Sequence, residues 1–282
     1  MGLLYAADSF WNVPIAANPE VDPNSSAIVH ASLYAQRSSA NFANTDRWGI
    51  AVVQASADDP PYAIGCTRYD CGTQVSVRIP AGTRPSTESD HHLVVIDGNR
   101  EVDMWLASFD ASRRSWSAGS RYATDAYGWG AMCPAGSRCN GGVAAGFAAF
   151  GGVVRPEDFS GRIIPHALAI TTPFTRADYV ACPATHTDGK DQSSRAIPQG
   201  ARVQLDPSFD VDSQHWSSWK KVIARTLQVY GAYIVDTGGS LAIRGESDVN
   251  RQGAWERAHV PQGPNLTDFP WGSFRVLKLH PC

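Results

Sequence analysis

The pattern of apolar and polar positions is easiest to read between Ser89 and Ala107, SDHHLVVIDGNREVDMWLA. Two strand-like runs, His92 to Asp97 and Glu101 to Ala107, flank Gly98-Asn99, which tolerate the positive φ of a tight turn, so the pattern predicts a hairpin. A two-residue loop there pairs Asp97 with Arg100, Val95 with Val102, Leu93 with Met104 and His92 with Trp105. Because successive side chains point to opposite faces, Leu93, Val95, Val102, Met104 and Leu106 share a core face, and Asp90, His92, Asp103 and Trp105 share the other. A wet sheet face favours Lys, Thr and Glu. His, Asp and Trp together mark a candidate site.

The same reading extends along the chain. DSFWNVP (Asp8 to Pro14) is an aromatic, Pro-stopped strap, and Asn24 to Gln36 carries a short helical pattern. Trp48 to Ala55, Gln74 to Pro80, Ile163 to Thr172, Ala201 to Leu205 and Ser273 to Leu279 read as strands. Alternation puts His166 on the side of Leu168 and Ile170, where a histidine is commonly a satisfied core residue. Trp216, Trp219, Val222, Ile223, Leu227 and Tyr230 fall on one helical face, so a long amphipathic helix is expected over about 214–230, ended by Gly231. Gly238-Gly239 predicts a second hairpin, in which Asp236 shares the face of Ile234, Leu241 and Ile243. Between Ser108 and Gly152 no periodicity is evident. Irregular segments of that length commonly bind or cover something, and Arg113, Arg114, Trp116, Arg121, Tyr122, Tyr127 and Trp129 interleave there before GGVAAGFAAFGG. The expected fold is mostly β: an antiparallel β-sandwich or jelly roll with one long and one short helix. A single β-rich catalytic domain is expected over 1–282, with an N-terminal strap (1–40) packed on it.

Composition narrows the function classes. With 282 residues and a net charge of -3, bulk electrostatics give no nucleic-acid footprint, and no apolar run is long enough to span a membrane. Nine Trp and few Lys suit a sugar-stacking surface, although buried Trp is common in any fold. The six cysteines fall as Cys66 and Cys71, Cys133 and Cys139, then Cys182 and Cys282. The first two pairs close short turn-rich loops, so local disulfides are expected, leaving Cys182 to tie Cys282 to the body. Zinc is the competitor, but no CxxC spacing or nearby His supports it. Disulfides imply an oxidising compartment, and the N-terminus, lacking a basic segment before a long apolar run, is expected to begin a mature secreted chain. No cofactor is expected, and the protein is expected to be a monomer.

The order SDHHLVVID, EVDMW, GGVVRPEDFS with IIPHALAI, PATH and YGAYIVDTGGS, over roughly residues 85 to 245, resembles a widespread group of secreted bacterial and fungal proteins. That group carries an Asp-x-His before a strand, an acidic residue with an aromatic in the next, a His-Ala-Leu strand and a Pro-Ala-x-His loop. The resemblance implies a common site at Asp90, His92, Asp103, Trp105, His166 and His186; the acidic position is more often Glu and is the shorter Asp103 here. A weaker similarity, at the level of fold, is to jelly-roll polysaccharide lyases and hydrolases.

Three histidines and two aspartates suit several chemistries. The lead expectation is β-elimination on a uronic-acid polysaccharide: His92 or His186 removes the proton α to the carboxylate, Arg155 or His166 offsets the developing charge, and Trp105, Trp116, Tyr122 and Trp129 bind sugars. The alternative is glycoside hydrolysis by Asp90 and Asp103. A charged His92 beside Asp103 would lower its pKa, which suits a base better than an acid. A metal centre using His92, His166, His186 and an aspartate ranks lower, because no His-x-His or HExxH spacing occurs. A non-catalytic carbohydrate-binding protein would need the aromatic groove alone. Nucleophile-elbow and Walker motifs are missing, and the Gly-rich run from Gly141 lacks a strand-to-helix setting.

Overall fold

The computed structural model describes residues 5–69, 71, 73–131 and 140–282. In chain order its strands are β1 (Asn41–Ala43), β2 (Ala51–Gln54), β3 (Pro61–Ala63), β4 (Gly65–Cys66), β5 (Ser76–Arg78), β6 (Leu93–Asp97), β7 (Arg100–Trp105), β8 (Ser108–Asp110), β9 (Ser115–Ala118), β10 (Ser120–Asp125), β11 (Leu168–Thr172), β12 (Thr175–Val180), β13 (Ile197–Gln199), β14 (Arg202–Leu205), β15 (Ala232–Thr237), β16 (Ala242–Arg244) and β17 (Phe274–Val276). A six-stranded sheet has the order β1-β16-β11-β15-β14-β17, and a four-stranded sheet has the order β10-β7-β6-β2.

Alternation along these strands sorts three apolar cores. One face of the large sheet (Leu168, Ile170, Val203, Ile234, Ile243) packs against helices α1 (Ser25–Ser32), α2 (Ser218–Val229) and α3 (Ala254–Arg257), through Ile28, Leu227 and Trp255 among others. The outer face of the small sheet (Leu93, Val95, Val102, Met104) packs on Ile64, Val77, Ile79 and Trp116 from the short ribbons. Between the sheets lie Val94 and Ile96 from one and Ala169, Tyr233 and Val235 from the other. The gap is filled by the Gly- and Ala-rich segment around Phe147 and Phe150 and by Tyr5, Phe10 and Trp11 of the N-terminal strap, so the strap is an interior layer.

The mostly-β sandwich expected from the sequence is therefore what the chain builds. The strands run in both directions, however, since β1 and β16, β2 and β6, and β11 and β15 pair in parallel. Long crossovers permit this; the connection from β11 to β15 carries α2. The first hairpin has the expected register, Asp97 to Arg100, Val95 to Val102 and Leu93 to Met104, with Gly98 at φ 64°. Leu106 leaves the core face, because its φ of 54° ends the alternation at Trp105. The Gly238-Gly239 turn does not make a paired hairpin: β11 inserts between β15 and β16. The long amphipathic helix expected over about 214–230 is not formed; α2 is a helix of 12 residues, Ser218–Val229, that leaves Trp216 outside it. The segment after Ser108 holds β8, β9 and β10, and among its described residues no strand follows Asp125. Disulfides join Cys66 to Cys71 and Cys182 to Cys282, while the expected Cys133 and Cys139 pair lies outside the described residues.

Candidate functional site

At one end of the gap between the sheets, the start of β6 and the end of β7 meet the end of β15. Trp105 donates its indole N–H to Asp90 Oδ1 at 3.1 Å, which fixes both side chains. His92 lies half-buried beside them, its backbone N–H held by Ser86 Oγ at 2.8 Å. The backbone is left-handed at His91 (φ 41°) and Leu106 (φ 54°), next to His92 and Trp105, and these segments are tied by bonds from Leu106 N to Asp90 O and from Ala107 N to His91 O. Such conformations are sparsely populated for residues with a side chain, and they cluster at functional sites.

The large sheet supplies the opposing half. Strand β15 carries a bulge: Ile170 pairs with Ile234, but Thr171 pairs with Asp236, leaving Val235 as the extra residue. A bulge interrupts alternation. Asp236 is consequently turned toward the gap, away from the face of Ile234 where strict alternation had put it, and its Oδ2 accepts a 2.6 Å hydrogen bond from Arg244 Nη2. Arg244 is 8 % exposed, and its Nη1 has no hydrogen-bond partner. Asp188 Oδ1 accepts bonds from Thr237 Oγ1 (2.6 Å) and Thr237 N (3.3 Å), so the Pro-Ala-x-His loop is anchored at the same end of β15. His186, on that loop, is exposed and places Nδ1 3.0 Å from Ala144 O of the Gly- and Ala-rich segment.

The electrostatics of this cluster are mutual. Burial, and then the charge of Arg244, push His92 down to about 4, with Asp90 opposing. Burial pushes Asp236 up to about 6; the carboxylates of Asp188 and Asp90 add to the rise and Arg244 opposes it. Near neutrality His92 is thus a neutral imidazole, and Asp236 keeps its proton to a higher pH than an ordinary aspartate.

Asp103 stands elsewhere than a solvent-facing carboxylate would. It is 2 % exposed and faces the gap between the sheets, where its Oδ2 accepts a 2.8 Å bond from Ala149 N. Its neighbour on that face is Glu101, fully buried, which accepts bonds from Tyr5 Oη (2.7 Å) and Phe150 N (3.0 Å). Asp103 Oδ1 is buried without a hydrogen-bond partner, and the two neighbouring carboxyl groups act on each other's titration. Burial raises Glu101 and pushes Asp103 well up, with the Glu101 charge adding to the shift on Asp103.

His166 also falls outside the cluster. It precedes β11, whereas Thr171, the partner of Asp236, lies near the strand's other end; the extended chain between them measures roughly 10 Å or more. Its Nδ1 is 2.9 Å from Ala167 O and its Nε2 is 3.8 Å from Asp158 Oδ2, so both ring nitrogens face oxygen acceptors. Arg155 Nη2 donates to Asp158 Oδ1 at 3.1 Å. His166 and Arg155 line a small cavity of about 20 Å³ with Tyr5, Trp11 and Phe150. Of the aromatic candidates, Trp116 is core, Trp129 sits edge-on to Phe10 of the strap at 5.5 Å, and Tyr122 on β10 lies opposite Asp103 of β7.

The structure therefore brings together Asp90, His92 and Trp105 with Asp236, Arg244 and Asp188, and sets His186 on the flank. Arg244 was legible in the sequence only as a charge inside an apolar strand, LAIRGE. No group of three or more His, Cys, Asp or Glu among the described residues is arranged to hold a metal ion. A roomier groove of about 390 Å³, between Pro19-Glu20 and Lys278-His280, contains none of the candidate catalytic residues. No protein-family model matches the chain, and no curated protein and no solved structure matches it either.

Proposed function

We propose that this is a secreted carbohydrate-active enzyme that cleaves an acidic polysaccharide by β-elimination at the cluster of His92, Asp236 and Arg244. The observation that carries this reading is Arg244: a buried guanidinium with one N–H pair unpartnered, beside a neutral imidazole, suits the carboxylate of a uronate whose α-proton is being removed. His92 takes that proton, the bond from the β-carbon to the glycosidic oxygen breaks, and Asp236 returns a proton to the leaving oxygen. The pKa order supports these roles, since a base near 4 and an acid near 6 are in their working states together between those values. The two disulfides fit an oxidising compartment, and among the described residues no helix is long and apolar enough to cross a membrane.

The test is the ultraviolet absorbance of an unsaturated uronate released from acidic polysaccharides, together with its loss in His92→Ala and Arg244→Ala. A second reading, glycoside hydrolysis, is favoured by one observation: Asp90 lies close enough to Asp236 to raise it, giving two interacting carboxyl groups at the mouth of the gap. New reducing ends without the absorbance would establish that reading and sink elimination. Binding of polymer without either signal would favour a non-catalytic carbohydrate-binding protein.

A further inference from the structure

The Cys66–Cys71 disulfide closes a short loop that reaches the candidate site through Trp105. Its geometry is held from below. Arg121, 4 % exposed, donates from Nε to Ile64 O (2.8 Å) and from Nη1 to Cys71 O (3.0 Å), bracing both arms of the loop. Backbone bonds from Thr67 N to Ala118 O (2.9 Å) and from Tyr69 N to Gly119 O (3.0 Å) dock it on the segment between β9 and β10. A Cβ on Gly119 would come within 2.9 Å of the Leu106 side chain and 3.2 Å of the Trp105 ring, so the glycine leaves both side chains room.

On this base, two side chains stand out. The Tyr69 ring lies 5.7 Å from the Trp105 ring, tilted by 31°, yet Tyr69 remains 55 % exposed. The Arg68 guanidinium lies 5.8 Å over the same Trp105 ring. Trp105 in turn holds Asp90 at 3.1 Å. A large aromatic face kept in water on a braced loop offers a stacking surface with little rotamer freedom left to lose, and an adjacent arginine offers donors in the fork that fits a carboxylate.

We infer that Arg68 and Tyr69, beside Trp105, form a binding subsite for a second sugar of an acidic glycan, stacked on Tyr69 with its carboxylate on Arg68. The inference rests on reading the His92 cluster as a polysaccharide site. It adds that the substrate is a polyanion contacted on at least two residues of the polymer, one at Arg244 and one at Arg68. The loop aromatic, not Trp116 or Trp129, then supplies the platform.

Affinity electrophoresis of the full chain through gels containing polygalacturonate, alginate or hyaluronan, each also in carboxyl-reduced form, tests it. Tyr69→Ala is expected to weaken binding of both forms of the recognised polymer by about tenfold. Arg68→Ala is expected to weaken binding of the acidic form by a similar factor and to leave the carboxyl-reduced form unaffected. Tyr127→Ala, the loss of another exposed aromatic, serves as the control and is expected to bind as the unaltered protein does. Retention of full affinity in both loop variants overturns the inference, as does failure of the unaltered protein to bind any of the polymers. Unsaturated product measured in parallel separates the two readings. Tyr69-dependent binding without product leaves the subsite and removes elimination; product formation with unchanged KM in Tyr69→Ala leaves elimination and removes the subsite.

Discussion

Glu101 and Asp103 lie two residues apart on the same face of β7, and each carboxyl takes a backbone N–H from the same segment, Phe150 N to Glu101 Oε1 and Ala149 N to Asp103 Oδ2. The pair fastens the Gly- and Ala-rich segment to the small sheet. The same segment reaches the large sheet through Ala145 N to Val235 O (3.0 Å) and touches His186 through Ala144 O. One buried acid pair thus holds the layer that connects the two halves of the site.

Because folding raises both carboxyl pKa values, the pair's contribution to stability is complete below the ordinary carboxylate range and is lost as pH rises through the raised, folded values. The melting temperature should fall as pH rises above the ordinary carboxylate range. Asp103→Asn, whose amide can donate to Glu101 and still accept from Ala149 N, should flatten that fall. Asp103→Ala should cost about 1 to 3 kcal/mol, because it leaves the buried Ala149 N–H without its acceptor. Thermal denaturation of the three proteins across pH checks both expectations, and an unchanged fall with rising pH in Asp103→Asn would contradict this role of the pair.

The rate profile follows from the other cluster. His92 must be neutral, above about 4, and Asp236 protonated, below about 6, so kcat/KM should be bell-shaped between those limits. Asp236→Asn should abolish the alkaline limb and lower the rate by about 100-fold or more. A wild-type profile that stays flat through both limits is the outcome that sinks these assignments.

Gly142 tests the close approach of the segment to the acid pair. A Cβ there would fall on Asp103 Oδ2 and within 2.7 Å of Ala149 N, both in the interior. Gly142→Ala should therefore destabilise by about 1 to 3 kcal/mol, as overpacking does, and should lower turnover by displacing the segment that His186 leans on. Chemical denaturation and turnover, measured on the same preparation, read the two effects.

The two disulfides should differ in their contribution to stability. Cys182 and Cys282 are 100 residues apart and Cys66 and Cys71 only 5, so loop-closure entropy assigns about 5 kcal/mol to the first and about 2 to the second. Replacing the C-terminal pair by serines should lower the melting temperature more, whereas replacing the other should fall mainly on polymer binding through Tyr69. Equal melting temperatures for the two double variants would contradict the ordering.

The sequence by itself determined the local rules of this protein. Gly98-Asn99 set the register of the first hairpin, alternation separated Leu93 and Val95 from Val94 and Ile96, and the stripe from Trp219 to Leu227 made the helix that covers the large sheet. Cysteine spacing indicated two bonds that the structure contains. Period-two logic says which residues share a face; it does not say whether water or another layer covers that face. Asp103 and His92 have the same parity, yet one lies under the Gly- and Ala-rich segment and the other near the mouth. A single extra residue at Val235 re-aimed Asp236, and the insertion of β11 between β15 and β16 set the strand positions from which Arg244 reaches it. Those outcomes depend on how distant segments stack. The acid and the guanidinium lie eight residues apart on β15 and β16 of one sheet, whereas the imidazole comes from the other sheet, and only the packing of one sheet on the other brings its charge close enough for the three to tune one another.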